Sequence, residues 1–188
     1  MKNTLAILAA MLAPFILFAE KSERFASSES KMFLAQAKQR GHELTFVPEA
    51  PGKETGKWRI TWNDSTKIAE LLIDGGIKLP EFNQKLRIEM DITCAAGTNL
   101  LAADLRLLDS KGEVCALNSN RGNRYTGKIN AVWEFTKGQD FKMAWGKNVN
   151  HKLDLPAEIT NWGFLIQGTK GEITLDELRI ITDLQPGK

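Results

Sequence analysis

Lys85-Leu86-Arg87-Ile88-Glu89-Met90-Asp91-Ile92 alternates charged and apolar side chains without a break. Successive side chains of an extended chain point to opposite faces. The stretch therefore sets Leu86, Ile88, Met90 and Ile92 on one face and Arg87, Glu89 and Asp91 on the other. Wound into a helix, the same four apolar residues would scatter around the axis. The segment predicts a strand with one dry and one wet face, the unit of an antiparallel sheet that covers a core from one side.

Working outward, the period of two recurs. Residues 43–47 alternate before Pro48. Trp58, Ile60 and Trp62 alternate with Arg59 and Thr61. Leu101, Ala103, Leu105 and Leu107 share a face opposite Asp104 and Arg106. Residues 69–73, apolar except for Glu70, should end in a turn at Asp74-Gly75-Gly76. Asp109-Ser110-Lys111-Gly112 has tight-turn chemistry and feeds a strand over 113–117. Ala131, Trp133 and Phe135 are expected to pair with Phe141, Met143 and Trp145 across the loop 137–140. The chain closes with strands over 162–167 and 172–181. In the last of these, Ile173 and Leu175 have one parity, and Leu178 and Ile180 the other. A β-bulge near Asp176-Glu177 would return all four to one face; burial of both faces is the alternative. About nine strand-like segments with turns between them, and no long helical pattern after Gly41, give an all-β chain. The expected fold is an antiparallel two-sheet β-sandwich.

Upstream the pattern changes. Met1, Lys2 and Asn3 precede an apolar run over 5–18, broken only by Pro14 and closing on Leu17-Phe18-Ala19. That layout is a secretory signal peptide, and the run is shorter than the roughly 20 residues of a spanning helix. The expected division is a leader over 1–19, a lead-in or short helix over 20–41, and one sandwich domain over 42–184. Met32, Phe33, Ala37 and Arg40 have helical spacing, and Gly41 could close the last turn. The implied location is secreted, periplasmic or cell-surface, with no membrane span.

Charge narrows the partners. The 25 Lys and Arg against 23 Asp and Glu give a formal net charge of +2, scattered without a basic stripe, which argues against nucleic acid. The two cysteines, Cys94 and Cys115, lie in apolar strand patterns and suit either a disulfide or two buried thiols. Two histidines are too few for a multi-histidine zinc site.

Several stretches resemble the galactose-binding-domain-like jelly-roll modules that serve bacterial polysaccharide-degrading enzymes as carbohydrate-binding modules. These are Leu79-Pro80-Glu81-Phe82, the strand 86–92, LLAADLRLLDSKG over 100–112, Trp145-Gly146, Leu153-Asp154-Leu155-Pro156 and GEITLDELRI over 171–180. The likeness runs from about Leu44 to Ile181. It implies a non-catalytic module whose partner is a polysaccharide or glycan. It also implies a structural Ca2+ near the closing strand, with Asp176 as the matching acid and Glu43 and Glu49 as the nearby early carboxylates; no other cofactor is implied.

An indole offers a flat apolar platform for the C–H face of a sugar ring, and neighbouring amides and charged groups read the hydroxyls. Trp58, Trp62 and Trp162 sit among aliphatic residues and read as core. The ligand-binding candidates are Arg124 and Tyr125 in the loop 121–128, Trp133 and Trp145 beside polar loops, and Asn148 and His151 in the loop 146–152. Asparagine's tolerance of left-handed backbone is the plainer account of that last loop. Two other functions fit the residues. Arg87, Glu89 and Asp91 could form an adhesive face toward a protein in a structural cell-envelope module. Glu89, Asp91 and Asp104 could supply the paired carboxylates of a small polysaccharide-cleaving enzyme.

Overall fold

The computed structural model describes residues 17–23, 25–26, 42–53, 55–63, 68–119, 125–167 and 169–184. These form β1 (Leu17–Glu23), β2 (Phe25–Ala26), β3 (His42–Pro48), β4 (Thr55–Asn63), β5 (Ile68–Lys78) and β6 (Lys85–Cys94). They continue as β7 (Asn99–Asp109), β8 (Glu113–Ser119), β9 (Gly127–Thr136), β10 (Met143–Gly146), β11 (Ala157–Gln167) and β12 (Lys170–Leu184). There is no helix among the described residues. All ladders are antiparallel and fall into two sheets. In one, β4-β12-β6-β9 lie side by side, with β3 outside β4 and β1 and β2 pairing β12 and β4. In the other the order is β10-β8-β7-β11-β5. With the edge additions set aside, β4-β12-β6-β9 faces β5-β11-β7-β8, and the chain changes sheet at most connections. That is a jelly roll.

The alternating strands explain the core between the layers. Leu86, Ile88, Met90 and Ile92 of β6 are all buried, as the alternation requires. They meet Leu105, Leu107, Phe164 and Ile166 of the opposite sheet. Trp133 of β9 and Trp162 of β11 pack across the interlayer space at 5.7 Å between ring centroids. The Trp133 Nε1–H donates to the Ala103 carbonyl of the facing sheet at 3.3 Å. The closing strand carries the expected bulge: its register against β6 shifts between Leu175 and Glu177. Ile173, Leu175, Leu178 and Ile180 are consequently all buried. At that bulge β12 also changes partner, from β4 over 170–175 to β1 over 178–184.

Four expectations change. The turn expected at Asp74-Gly75-Gly76 lies within β5, which runs on to Lys78 with a register irregularity against β11. Gly76 adopts φ +60° there, so glycine lets the strand kink where it was expected to end. On β7, Leu100 and not Leu101 turns inward, because β7 carries Leu101 as an extra residue between Leu100 and Ala102, whose partners Ile166 and Leu165 are adjacent on β11. β9 and β10 are not a hairpin: β9 pairs β6 in one sheet and β10 pairs β8 in the other. Alternation assigns a face to each residue, but the connection 137–142 decides the partner. In the lead-in, residues 20–23 and 25–26 are strand, and β1 begins at Leu17, across the boundary expected after Ala19. The helical spacing over 32–40 and residues 1–16 of the leader lie outside the described residues. Among the described residues no helix is long and apolar enough to cross a membrane.

Cys94 and Cys115 are both free and buried, one in each sheet. Burial pushes the Cys94 thiol up to about 11. Burial, together with the Glu113, Asp109 and Asp154 carboxylates, pushes Cys115 up to about 12.

Candidate functional site

Of the five tryptophans, only Trp145 reaches solvent, at 43% exposure. Its register explains why. Trp145 pairs with Val114 of β8, while the neighbouring Cys115 turns fully inward, so Trp145 stands on the outer face of its sheet. Arg106 of β7 lies in the row Arg106–Ala116–Met143 that crosses β7, β8 and β10. The small Ala116 in the middle lets the long Arg106 side chain reach over β8. Its guanidinium sits 5.6 Å from the centre of the indole. An arginine over an indole face is attracted by the ring quadrupole and limits the rotamers of both side chains. On the same face the Asn118 amide donates to the Asp104 carboxylate.

The loop after Trp145 is held from below. Glu113 is fully buried, and its carboxylate accepts the backbone N–H of Asn150 at 2.7 Å and of His151 at 2.8 Å. Asp109 is buried beside it and accepts the N–H groups of Lys111 and Glu113, both at 2.8 Å, and of Asp154 at 3.3 Å. Buried carboxylates are stable when each lone-pair direction meets a donor, and these two meet five backbone amides. Asn148 and His151 take positive φ, 50° and 62°. The Asn148 amide donates to the Lys111 carbonyl, and His151 Nδ1 donates to the Phe141 carbonyl at 3.0 Å. A carbonyl only accepts, so the bond places a proton on Nδ1. Lys111 and Asn150 side chains bond the Asp154 carboxylate and hold its pKa below the ordinary 3.8.

The structure thus brings Trp145, Asn148 and His151 together at one end of the sandwich and leaves the other candidates elsewhere. Tyr125 bridges Leu100 at the start of β7, the end opposite Asp109, and packs partly against the core. Trp133 is 2% exposed between the sheets, so its ring offers no surface to a ligand. Its strand parity puts it in phase with Ala131 and Phe135, which are also core. Arg124 lies outside the described residues.

The outer face of the other sheet is chemically different. Arg179 of β12 bonds Asp91 through both terminal nitrogens at 2.9 Å, Glu89 through Nε at 3.1 Å and Glu177 at 3.3 Å. Arg87 pairs Glu89 at 2.6 Å and Glu134 at 3.3 Å. The hydrogen bonds from Arg179 hold the Asp91 carboxyl below the ordinary 3.8, and Asn130 adds to the effect. The acids raise the Arg179 pKa in return. A two-carboxylate catalytic pair needs both groups over one cleft. Glu89 and Asp91 are instead tied to one guanidinium, and Asp104 stands on the outer face of the opposite sheet.

Asp176, the expected metal ligand, is the bulge residue of β12. It accepts the Thr93 hydroxyl at 2.6 Å and lies 3.7 Å from the Lys57 ammonium. A groove of about 530 Å³ opens beside it, lined by Lys57, Asp91, Thr93, Lys128, Asn130 and Asp176. Calcium takes six to eight oxygen ligands. The immediate neighbours of Asp176 are instead one hydroxyl and an ammonium, and the ammonium repels a cation. Among the described residues no three His, Cys, Asp or Glu side chains gather closely enough to hold a metal ion. The sequence reading passed over Glu113 and Arg179. A signal for Glu113 was present, since it shares the inward parity of Cys115; Arg179 gave none, because Glu89 and Asp91 lie about ninety residues away in sequence.

No protein-family model matches the chain, and no curated protein matches it. Among solved structures it is similar to the family 11 carbohydrate-binding module from Clostridium thermocellum in complex with a β-1,3-1,4-mixed-linked tetrasaccharide. The two share 13% identity over 93% of this chain and 96% of that one, with a TM-score of 0.45. It is similar to the CBM22-1 xylan-binding domain from Paenibacillus barcinonensis at 12% identity, over 89% and 95% of the two chains, with a TM-score of 0.45. It is also similar to the C-terminal CBM6 of a marine laminarinase from Zobellia galactanivorans at 13% identity, over 86% and 98%, with a TM-score of 0.35. Neither the fold nor a ligand follows from likenesses this distant.

Proposed function

We propose that the chain is an exported, non-catalytic carbohydrate-binding module whose ligand stacks on Trp145. The observation that carries this reading is a single exposed indole on a strand, braced by Arg106 and followed by a loop fixed on buried carboxylates. Exposing an indole forgoes about 2–3 kcal/mol of burial, and a rigid platform needs little ordering when a sugar ring arrives. Arg106, seated over the ring, supplies guanidinium donors for hydroxyl oxygens. The leader-like sequence over 1–19 supports the export part of the reading.

The test is migration of the purified protein in native gels containing soluble plant, algal or bacterial polysaccharides. At least one polysaccharide should retard the wild-type chain, and W145A should run free in the same gel. Equal retardation of both, or no retardation across the panel, contradicts the reading.

A further inference from the structure

We infer that Glu113 is the positioning residue of the Trp145 platform, a buried carboxylate that sets the site without touching ligand. The inference rests on the reading of Trp145 as the ligand platform. β10 has four residues and lies at the edge of its sheet, paired on one side only, so its own ladder holds it weakly. The chain leaves β10 through Gly146 at φ +111°, a conformation open to glycine, and the Lys147 N–H donates to the Gly112 carbonyl at 2.9 Å. Glu113 is the point where these constraints meet. Its backbone pairs with Gly146, the last residue of β10. Its side chain turns inward and takes the N–H groups of Asn150 and His151, four and five residues beyond.

That arrangement closes a ring from β8 through β10 and the loop back to β8. It fixes the backbone on both sides of Trp145 while leaving the indole open. A carboxylate suits the role because both of its oxygens accept. A glutamine has one acceptor oxygen, and its NH2 group would oppose the second backbone N–H. Since Glu113 has no exposed surface, it acts through the loop it holds.

The experiment compares wild type, E113Q and E113D by amide hydrogen exchange, acrylamide quenching of Trp145 and affinity for two probes, soluble mixed-linked β-glucan and xylan. In E113Q the amides of Asn150 and His151 should exchange about tenfold faster or more, with β6 and β11 unchanged. Quenching should rise, and affinity for whichever probe the wild type binds should fall about tenfold or more. E113D, which keeps two acceptor oxygens, should recover part of each effect. Unchanged exchange at Asn150 and His151 overturns the inference, as does faster exchange with unchanged affinity. If the wild type binds neither probe, exchange and quenching still decide whether Glu113 fixes the platform, because neither needs a ligand. Should E113Q not fold, E113D carries the test alone, because its shorter side chain draws the carboxylate back from the Asn150 and His151 amides. Faster exchange at Asn150 and His151 with higher quenching than wild type then supports the inference, and no change in either overturns it.

Discussion

The outer faces of the two sheets are built from the same alternating strands and are put to opposite uses. On the β4-β12-β6-β9 face, the outward residues are charged and satisfy one another: Arg179, at 18% side-chain exposure, gathers Glu89, Asp91 and Glu177, and Arg87 extends the network. On the β10-β8-β7 face, an indole stands in solvent with a cation over it and a pinned loop beside it. Charge on a sheet is therefore poor evidence of function when an opposite charge lies on the adjacent strand. An exposed aromatic on a constrained strand is better evidence, because burial would have been the more stable arrangement.

Paired tryptophan truncations test that contrast most forcefully. W133A removes an indole from between the sheets and should cost about 3–5 kcal/mol in urea unfolding. W145A should change stability by less than about 0.5 kcal/mol and weaken polysaccharide binding tenfold or more in affinity gels. Equal stability losses would mean that the two rings are not differently placed.

The charged face can be probed separately. R179M should cost about 1–2 kcal/mol at pH 7, because it strips three partly screened carboxylates of their shared partner, and should leave polysaccharide binding intact. Asp91 is held below its ordinary 3.8 in the folded state. Its contribution is thus present above 3.8 and disappears as the pH falls through the lowered folded value. Melting curves of wild type and R179M should separate at neutral pH and converge in strong acid. Constant separation down to the acid limit would show that Arg179 acts through packing alone.

A local effect sharpens the account of the pinned loop. G146A places a Cβ 2.6 Å from the Gly112 carbonyl oxygen at a φ of +111°. A loss of about 1–2 kcal/mol is expected, with faster amide exchange confined to 143–151. Exchange spreading into β6 would show that the β10 edge is coupled to the whole sandwich.

Much of this architecture is legible in the residues, and the limits follow from physics. Alternation in 85–92 gives the strand, its inward face and its outward charges, because side-chain direction is a local property. The parity break before Leu178 gives the bulge for the same reason. Partner choice is not local. Trp133 and Trp145 lie twelve residues apart with similar flanks, and nothing between them says that the chain crosses to the other layer. Asp104 likewise resembles Glu89 and Asp91 in sequence yet faces away from them. The turn chemistry of Asn148 was visible in its residue type. The acid beneath it was not singled out, although a glutamate in phase with Cys115 marks a buried charge that needs donors.

The most direct measurement is intrinsic tryptophan fluorescence during titration with a polysaccharide that retards the protein in gels. Four of the five indoles are buried, so a ligand in contact with the platform should alter the emission of Trp145. The expected result is a saturable shift in the wild type that is absent in W145F, with R179M behaving as wild type. A shift that persists in W145F, or binding without any shift, would contradict the central claim.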